Sequence, residues 1–435
     1  MSLEDKVIIK PVLVSYEKAF WRQLPSEEEL EKAKKGYWEE LKHLMGDDVK
    51  VEEPFIISKI SDFRNLLKEL TLDIDALFVM RIYGGDHRRI AKLGFFGFPT
   101  IFYENPILYK DVIAYINQFG GNAFFISNKE ELERFVRSLK AYRNIKRSIA
   151  IYFSSTGLPS FTIITGGWDI EKIRRKFGTE FVYVTIDRLF NDYEKSFGND
   201  VDNIVDKLIS DAKEVKVNSE QLKKAVKLYL AMEKIRDRYE ANMLSITCPE
   251  EIFYNKGITP CLALVLFKDR GIPSSCEGDL SALLAMSFLM FTSNKSAFMG
   301  NLWSIDAEKG VFRITHDVFP LKFYGIHKES KGYCLYDFHD KGYGATTYVE
   351  VPKGEIVTLA RMHFTFDKIL AFRGQVLKTY QGIACRETLN IKVENGMLLD
   401  KYLTEYGHHF SMIPGDYIKE IEYLAQLFKI KLETL

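Results

Sequence analysis

Carboxylates and imidazoles carry the most chemical promise in this chain, and they fall in its C-terminal part, from Glu277 onward. The segment Ser274-Ser275-Cys276-Glu277-Gly278-Asp279 places two acids where a proline-containing apolar loop gives way to the run LSALLAMSFLMF. An acid at the start of a buried helix suits the positive end of the helix dipole. The competing reading is structural: Asp279 caps the helix and Glu277 is solvated. His316 lies in ITHDVFP after an alternating strand, and His408-His409 follow a glycine in EYGHHFSMIPGD. Both sites are element ends, where functional groups concentrate. Carboxylate plus imidazole suits a borderline divalent ion such as manganese, iron or zinc. Adjacent histidines project differently, so a hydrogen-bonded or surface role for one or both competes with ligation. His43, His87, His327, His339 and His363 show no partner pattern, although His87, in IYGGDHRRI after a predicted strand, could face a cleft. Trp21, Trp168 and Trp303 stand near predicted loop or strand ends, to stack on a ligand ring or to pack in the core.

Other chemistries lack their signatures. No GxxxxGK[ST] loop is present, and the Gly84-Gly85 and Gly166-Gly167 pairs lack dinucleotide spacing. There is no GxSxG elbow and no HExxH pair. The chain has 60 basic and 60 acidic residues, so no global field draws it to nucleic acid or to an anionic membrane, and a small neutral partner fits better. Five scattered cysteines without a CxxC pair argue against a disulfide framework or a thiolate zinc site. The opening MSLEDKVIIKPVLVSYEKAF lacks the apolar run of a signal peptide, and no apolar stretch reaches about 18 residues, so a cytoplasmic location is expected.

The elements that must position these groups are legible as patterns. With 435 residues, two or three domains are expected. Short apolar runs (KVIIKPVLVSY, ALFVMRI, FPTIFYE, NAFFIS) alternate with charged helical patterns, the rhythm of βα units around a parallel sheet. The rhythm restarts with SIAIYFSS, followed by the predicted strands FTIITGG and FVYVTID and a long helix from about Ser219 to Leu244. From about Ala297, alternating runs (FRITHD, YCLYDFH, TTYVEV, IVTLARMHF, ETLNIKVEN) predict an antiparallel β domain ending in the helix DYIKEIEYLAQLF. The expected fold class is therefore α/β: two N-terminal doubly wound α/β domains, over 1–146 and 147–296, then a C-terminal antiparallel β domain over 297–435. No repeat or flexible linker separates them.

Several ordered motifs together resemble the L-fucose/L-arabinose isomerase superfamily, and more narrowly its shorter, fucose isomerase-like branch. They are GITPCLALVLFKDRGIPSSCEGDLSALLAM, FMGNLWSID, ITHDVFP, CRETLNIKV and GHHFSMIPGDYIKEIEYLAQLFKI. The resemblance is clearest from about residue 256 onward. It implies a manganese-dependent aldose-ketose isomerase of a free or modified sugar, with Glu277, His316 and His409 as metal ligands and His408 the alternative to His409. Glu277 would also move the proton, and a divalent ion would stabilise the charge of the ene-diolate. The family's second acid has no counterpart, since Phe298-Met299-Gly300-Asn301 stands at its position. Asn301 is then the catalytic-site replacement, or Asp279, Asp306 or Asp317 supplies the carboxylate. Trp303 and Arg386 are the expected substrate contacts, and a sulfonated or phosphorylated sugar would call on Arg361, Arg373 or Arg386. The resemblance further implies a homo-oligomer, trimer or hexamer. The rival from another class is a sugar-binding or regulatory protein without turnover.

Overall fold

The computed structural model describes residues 6–15, 25–83, 86–103, 106–195, 197–330, 332–382 and 385–435; Trp21 and the Gly84-Gly85 pair lie outside them. The chain divides into two compact units, Met1–Arg143 and Asn144–Leu435.

In the first unit, β1 (Val7–Ser15), β2 (Val49–Val51), β3 (Phe55–Ile57), β4 (Ala76–Tyr83), β5 (Thr100–Tyr103) and β6 (Ala123–Ile126) form one parallel sheet. Its order is β2-β1-β4-β5-β6, with β3 also on β1. A parallel sheet packed on both faces buries successive positions, hence the near-continuous apolar run in β1; Val7, Ile9, Val12, Leu13 and Val14 are all buried. The helix Glu27–Met45 opens within the acidic segment PSEEEL. Ser26 Oγ accepts from the Glu29 N–H while the Glu29 carboxylate accepts from the Ser26 N–H, a reciprocal capping box.

The second unit begins with β7 (Ile149–Phe153), β8 (Glu180–Val184), β9 (Glu214–Val215), β10 (Met243–Ile246) and β11 (Ser274–Ser275). All but β9 join in a parallel sheet of order β11-β10-β7-β8. There follow β12 (Phe298–Asp306), β13 (Val311–His316), β14 (Cys334–Tyr336), β15 (Thr346–Tyr348), β16 (Ile356–Met362), β17 (Lys368–Gln381), β18 (Glu387–Lys392), β19 (His409–Pro414) and β20 (Lys431–Glu433). Strands β16-β19-β12-β13-β18-β17 run antiparallel, and β16 pairs back to β17, closing a barrel with β20 along β17. Closure leaves these six strands without a free edge. The barrel core holds Phe298, Phe312, Ile314, Leu359, Leu389 and Phe410.

Two segments depart from expectation. YCLYDFH and TTYVEV supply β14 and β15, which leave the barrel and build a separate three-stranded sheet with β9. FTIITGG, expected as a strand, is a series of turns. The Thr162 and Thr165 side chains are drawn to Glu277 and Arg361, and Gly167 takes a left-handed φ of 70° that ends any extended run.

The helix Leu280–Ser293 joins the two sheet systems. It packs on β10 and β11 of the parallel sheet and on β16 and β19 of the barrel. With neighbours all round it needs no polar face, which explains the uninterrupted LSALLAMSFLMF. Truncating the fully buried Leu283 to Ala would cost about 2–5 kcal/mol.

Candidate functional site

Glu277 sits between β11 and the N-terminus of Leu280–Ser293, on a backbone bent by two successive left-handed residues, Glu277 (φ 59°) and Gly278 (φ 68°). Gly278 must be glycine: a Cβ there would meet Tyr152 Oη at 2.7 Å and Thr247 Cγ2 at 3.0 Å. For Glu277 the conformation is costly, and it is held by hydrogen bonds on both sides. Its carbonyl accepts from the Ser160 N–H (2.8 Å), and the Gly278 N–H donates to the Ile246 carbonyl (2.9 Å). The bend turns the carboxylate inward instead of leaving it solvated, with 12% of the side chain exposed. Burial is the largest influence on this carboxyl and opposes its charge. His409, His316 and the Thr162 hydroxyl that donates to Oε2 outweigh it and hold the group at about 2.

His409, the first residue of β19, is fully buried and pre-oriented. Its Nδ1–H donates to Asp279 Oδ2 at 2.9 Å, which leaves the Nε2 lone pair facing the site, 3.8 Å from Glu277 Oε1. Asp279 caps the helix through Oδ1, which accepts from the Ala282 N–H at 2.8 Å. Its other oxygen also accepts from the fully buried Arg361 at 3.0 Å. Burial works against the Asp279 charge, but Arg361, His409 and Ala282 hold its carboxyl below the usual range. Arg361 in turn donates to the carbonyls of His409 (2.7 Å) and Thr165 (2.8 Å). The guanidinium is thus committed to the frame of the site.

His316, at the end of β13, brings Nε2 to 3.5 Å from Glu277 Oε1. Its Nδ1 accepts from the Asp317 N–H at 2.8 Å, so its neutral ring carries the proton on Nε2, the reverse of His409. The three donor atoms of Glu277, His316 and His409 lie within 4.8 Å of one another, and both histidine Nε2 atoms are buried without a hydrogen-bond partner. Oxygen and nitrogen donors gathered around such orphaned atoms fit a divalent ion. His408 does not join this set. Burial, with His409 and Arg361 nearby, pushes its imidazole down to about 4.

A second donor group, Asp317, His339 and Cys385, begins one residue further along the chain. Asp317 Oδ2 is 2.9 Å from His339 Nε2, Cys385 Sγ is 3.7 Å from the same nitrogen, and the Arg386 N–H donates to Asp317 Oδ1 at 2.9 Å. Because thiol and carboxylate both meet one imidazole nitrogen, the three cannot relay a proton in line as a nucleophilic triad does.

Register puts Gly300 and Asn301 on opposite faces of β12. Gly300 pairs with Phe410 and points at the barrel core, where a Cβ would lie 2.6 Å from Ile314 and 2.7 Å from Phe298. Asn301 is on the other face, directly across from His409 on one side and Thr315 on the other. None of the acids considered as substitutes enters the Glu277 group: Asp279 supports His409, Asp306 pairs with Lys309 on the surface, and Asp317 belongs to the second group.

Trp303 is exposed and occupies a β-bulge in β12, on the wall of a cleft of about 450 Å³ lined also by Arg313, Thr315, Tyr380, Cys385 and Thr388. Arg386 is not free to meet a ligand's charge. It pairs with Asp337 (2.5 Å) and Asp340 (2.9 Å) and lies over the Tyr336 ring. Arg373 pairs with Asp416 and Glu394 on the surface. Sequence reasoning missed Thr162, Thr165 and Arg313. The first two lay in the segment expected as a strand, and Arg313 lies inside FRITHD, whose alternation predicts only a strand.

No protein-family model matches the chain. The chain is 24% identical over 222 residues to sulfoquinovose isomerases of Priestia aryabhattai and Priestia megaterium. The match covers 49% of this chain and 48% of each relative, so about half the length of those proteins is spanned. The similarity is to sugar isomerases, which agrees with the superfamily resemblance at that coarser level.

Proposed function

We propose that this protein is a metal-dependent aldose-ketose isomerase of a small sugar, working through an ene-diol. The observation that carries the reading is the convergence of Glu277, His316 and His409 around two orphaned buried nitrogens. Similarity to sulfoquinovose isomerases supports the reaction class. Glu277 and His409 would hold the ion, with His316 joining them once its Nδ1, and not Nε2, carries the proton. A bound manganese would polarise the sugar's carbonyl and hydroxyl oxygens. The chain's own work is to take a proton from one carbon and return it to the next. A carboxyl held at about 2 is a good ligand and a weak base. His316 has no free lone pair in the tautomer whose Nε2–H faces Glu277 Oε1, and no proton on Nε2 when it ligates, so the proton taken from the carbon would rest on the Glu277 carboxylate and return from it.

Asn301 favours a second reading, a sugar-binding protein without turnover, because an amide in place of the family's acid accepts no proton. Incubation with manganese and a sugar panel that includes sulfoquinovose, in heavy water, separates the two. Deuterium at the carbon beside the carbonyl, read by NMR, is the expected result. Sugar-induced thermal stabilisation with no deuterium in any sugar would sink the isomerase and leave the binding protein.

A further inference from the structure

Arg313 differs from the other three arginines weighed for an anionic substrate. Arg361, Arg373 and Arg386 each pair with acids, whereas Arg313 is exposed and has no ion pair among the described residues. Among the described residues, no acidic side chain lines the cleft it shares with Trp303, Thr315, Tyr380, Cys385 and Thr388. A neutral ligand could be held by hydroxyls and rings alone, and an unopposed guanidinium adds a preference for negative charge.

The cleft also borders the second donor group. Cys385 on its wall belongs to the second group, whose Asp317 follows His316 directly. In the barrel's register, His409, Asn301, Thr315, Thr388 and Tyr380 stand in one row across four neighbouring strands and the start of β19. Arg313 is two residues before Thr315 on β13, hence on the same face and about 7 Å along the strand from that row. Trp303 is displaced outward by its bulge beside it. His409 is two strands from β13, so the two offsets together put the Arg313 Cα about 12 Å from that of His409, a span that a six-carbon sugar and an extended arginine side chain cover between them.

We propose that Arg313 is a specificity-determining residue that binds a tetrahedral anionic substituent, a sulfonate or phosphate, on the end of the sugar remote from the carbonyl. The inference takes from the proposed function only that the carbonyl end lies at Glu277 and His409. The guanidinium offers two parallel N–H donors to two anion oxygens, while Trp303 covers the ring or chain between.

Isothermal titration calorimetry on the manganese-loaded full chain tests this with three ligands: a hexose bearing a 6-sulfonate, the hexose 6-phosphate and the neutral 6-deoxyhexose. The wild-type protein is expected to bind one of the anionic sugars at least about tenfold more tightly than the neutral one, and the better of the two identifies the anion. Arg313→Ala should cut that ratio about tenfold, and Arg313→Lys should keep part of it. A wild-type ratio near one, a ratio that survives in Arg313→Ala, or no binding of any of the three by wild type overturns the proposal. Deuterium exchange on the same samples is read separately. An anion preference without exchange removes the isomerase reading and leaves Arg313's role standing.

Discussion

The two donor groups on either side of the His316–Asp317 peptide bond contain similar chemistry and are built differently. In the Glu277 group, His409 is oriented by Asp279, which is held by the helix N-terminus and by a buried arginine that also grips the His409 carbonyl. Its donors come from a strand start, a strand end and a helix start. In the Asp317 group, His339 sits in a short turn with a left-handed φ of 51°, its side chain 29% exposed, and its one nitrogen serves both partners. Proximity of donors is common to both; in the second, the Arg386 N–H holds Asp317, but only in the first is a histidine's far nitrogen held by a carboxylate that is itself fixed, the arrangement that preorganises a metal centre.

The sharpest challenge to this contrast is Glu277→Gln, which keeps shape and removes charge. Turnover should fall about a thousandfold or more and the bound metal should be lost, as read by deuterium exchange and by elemental analysis of the purified protein. Retention of both would end the assignment. Asp279→Asn attacks the support behind the ligand. It leaves the Arg361 guanidinium buried without its anion, so urea unfolding should show a loss of about 3–5 kcal/mol, and metal affinity should drop about tenfold to a hundredfold. A stable variant with native metal affinity would mean that the frame is ornamental. In the second group, His339→Ala and Cys385→Ser should change metal affinity less than about tenfold and leave the metal-to-protein ratio as it was. A fall from two equivalents to one would make the second group a metal site in its own right and erase the distinction.

The smallest effect concerns His408. Its folded value of about 4 lies below the ordinary 6.5, so between these values the unfolded chain binds more protons than the folded one. Stability present above pH 6.5 is therefore lost progressively as pH falls toward 4. His408→Gln should flatten that part of a chemical-denaturation profile. An unaltered slope would show that His408 stays neutral or charged alike in both states.

Much of the scaffold was legible because its signals are local. The apolar run of β1 and the alternation through β13 and β18 each follow from a few neighbouring residues. FTIITGG shows the limit of such signals. Its β propensity is strong, yet Phe161–Gly167 folds as turns whose Thr162 and Thr165 bind Glu277 and Arg361 from across the unit. Tertiary contacts overrode propensity there, as they do where side chains are needed elsewhere.

The sequence by itself determined the parallel and antiparallel character of the sheets, the buried helix after Asp279, and the short roster of acids and histidines able to do chemistry. Periodicity and capping act over a few residues, so they can be read without the fold. Only the tertiary structure decided which members of the roster meet. Asp279 and His409 are 130 residues apart in the chain and 2.9 Å apart in space. Strand register put Asn301, and not Gly300, on the face of the site, and ion pairing set Arg313 apart from the other arginines weighed for an anion. Register, burial and pairing depend on what the rest of the chain brings to each position, and no local pattern records that.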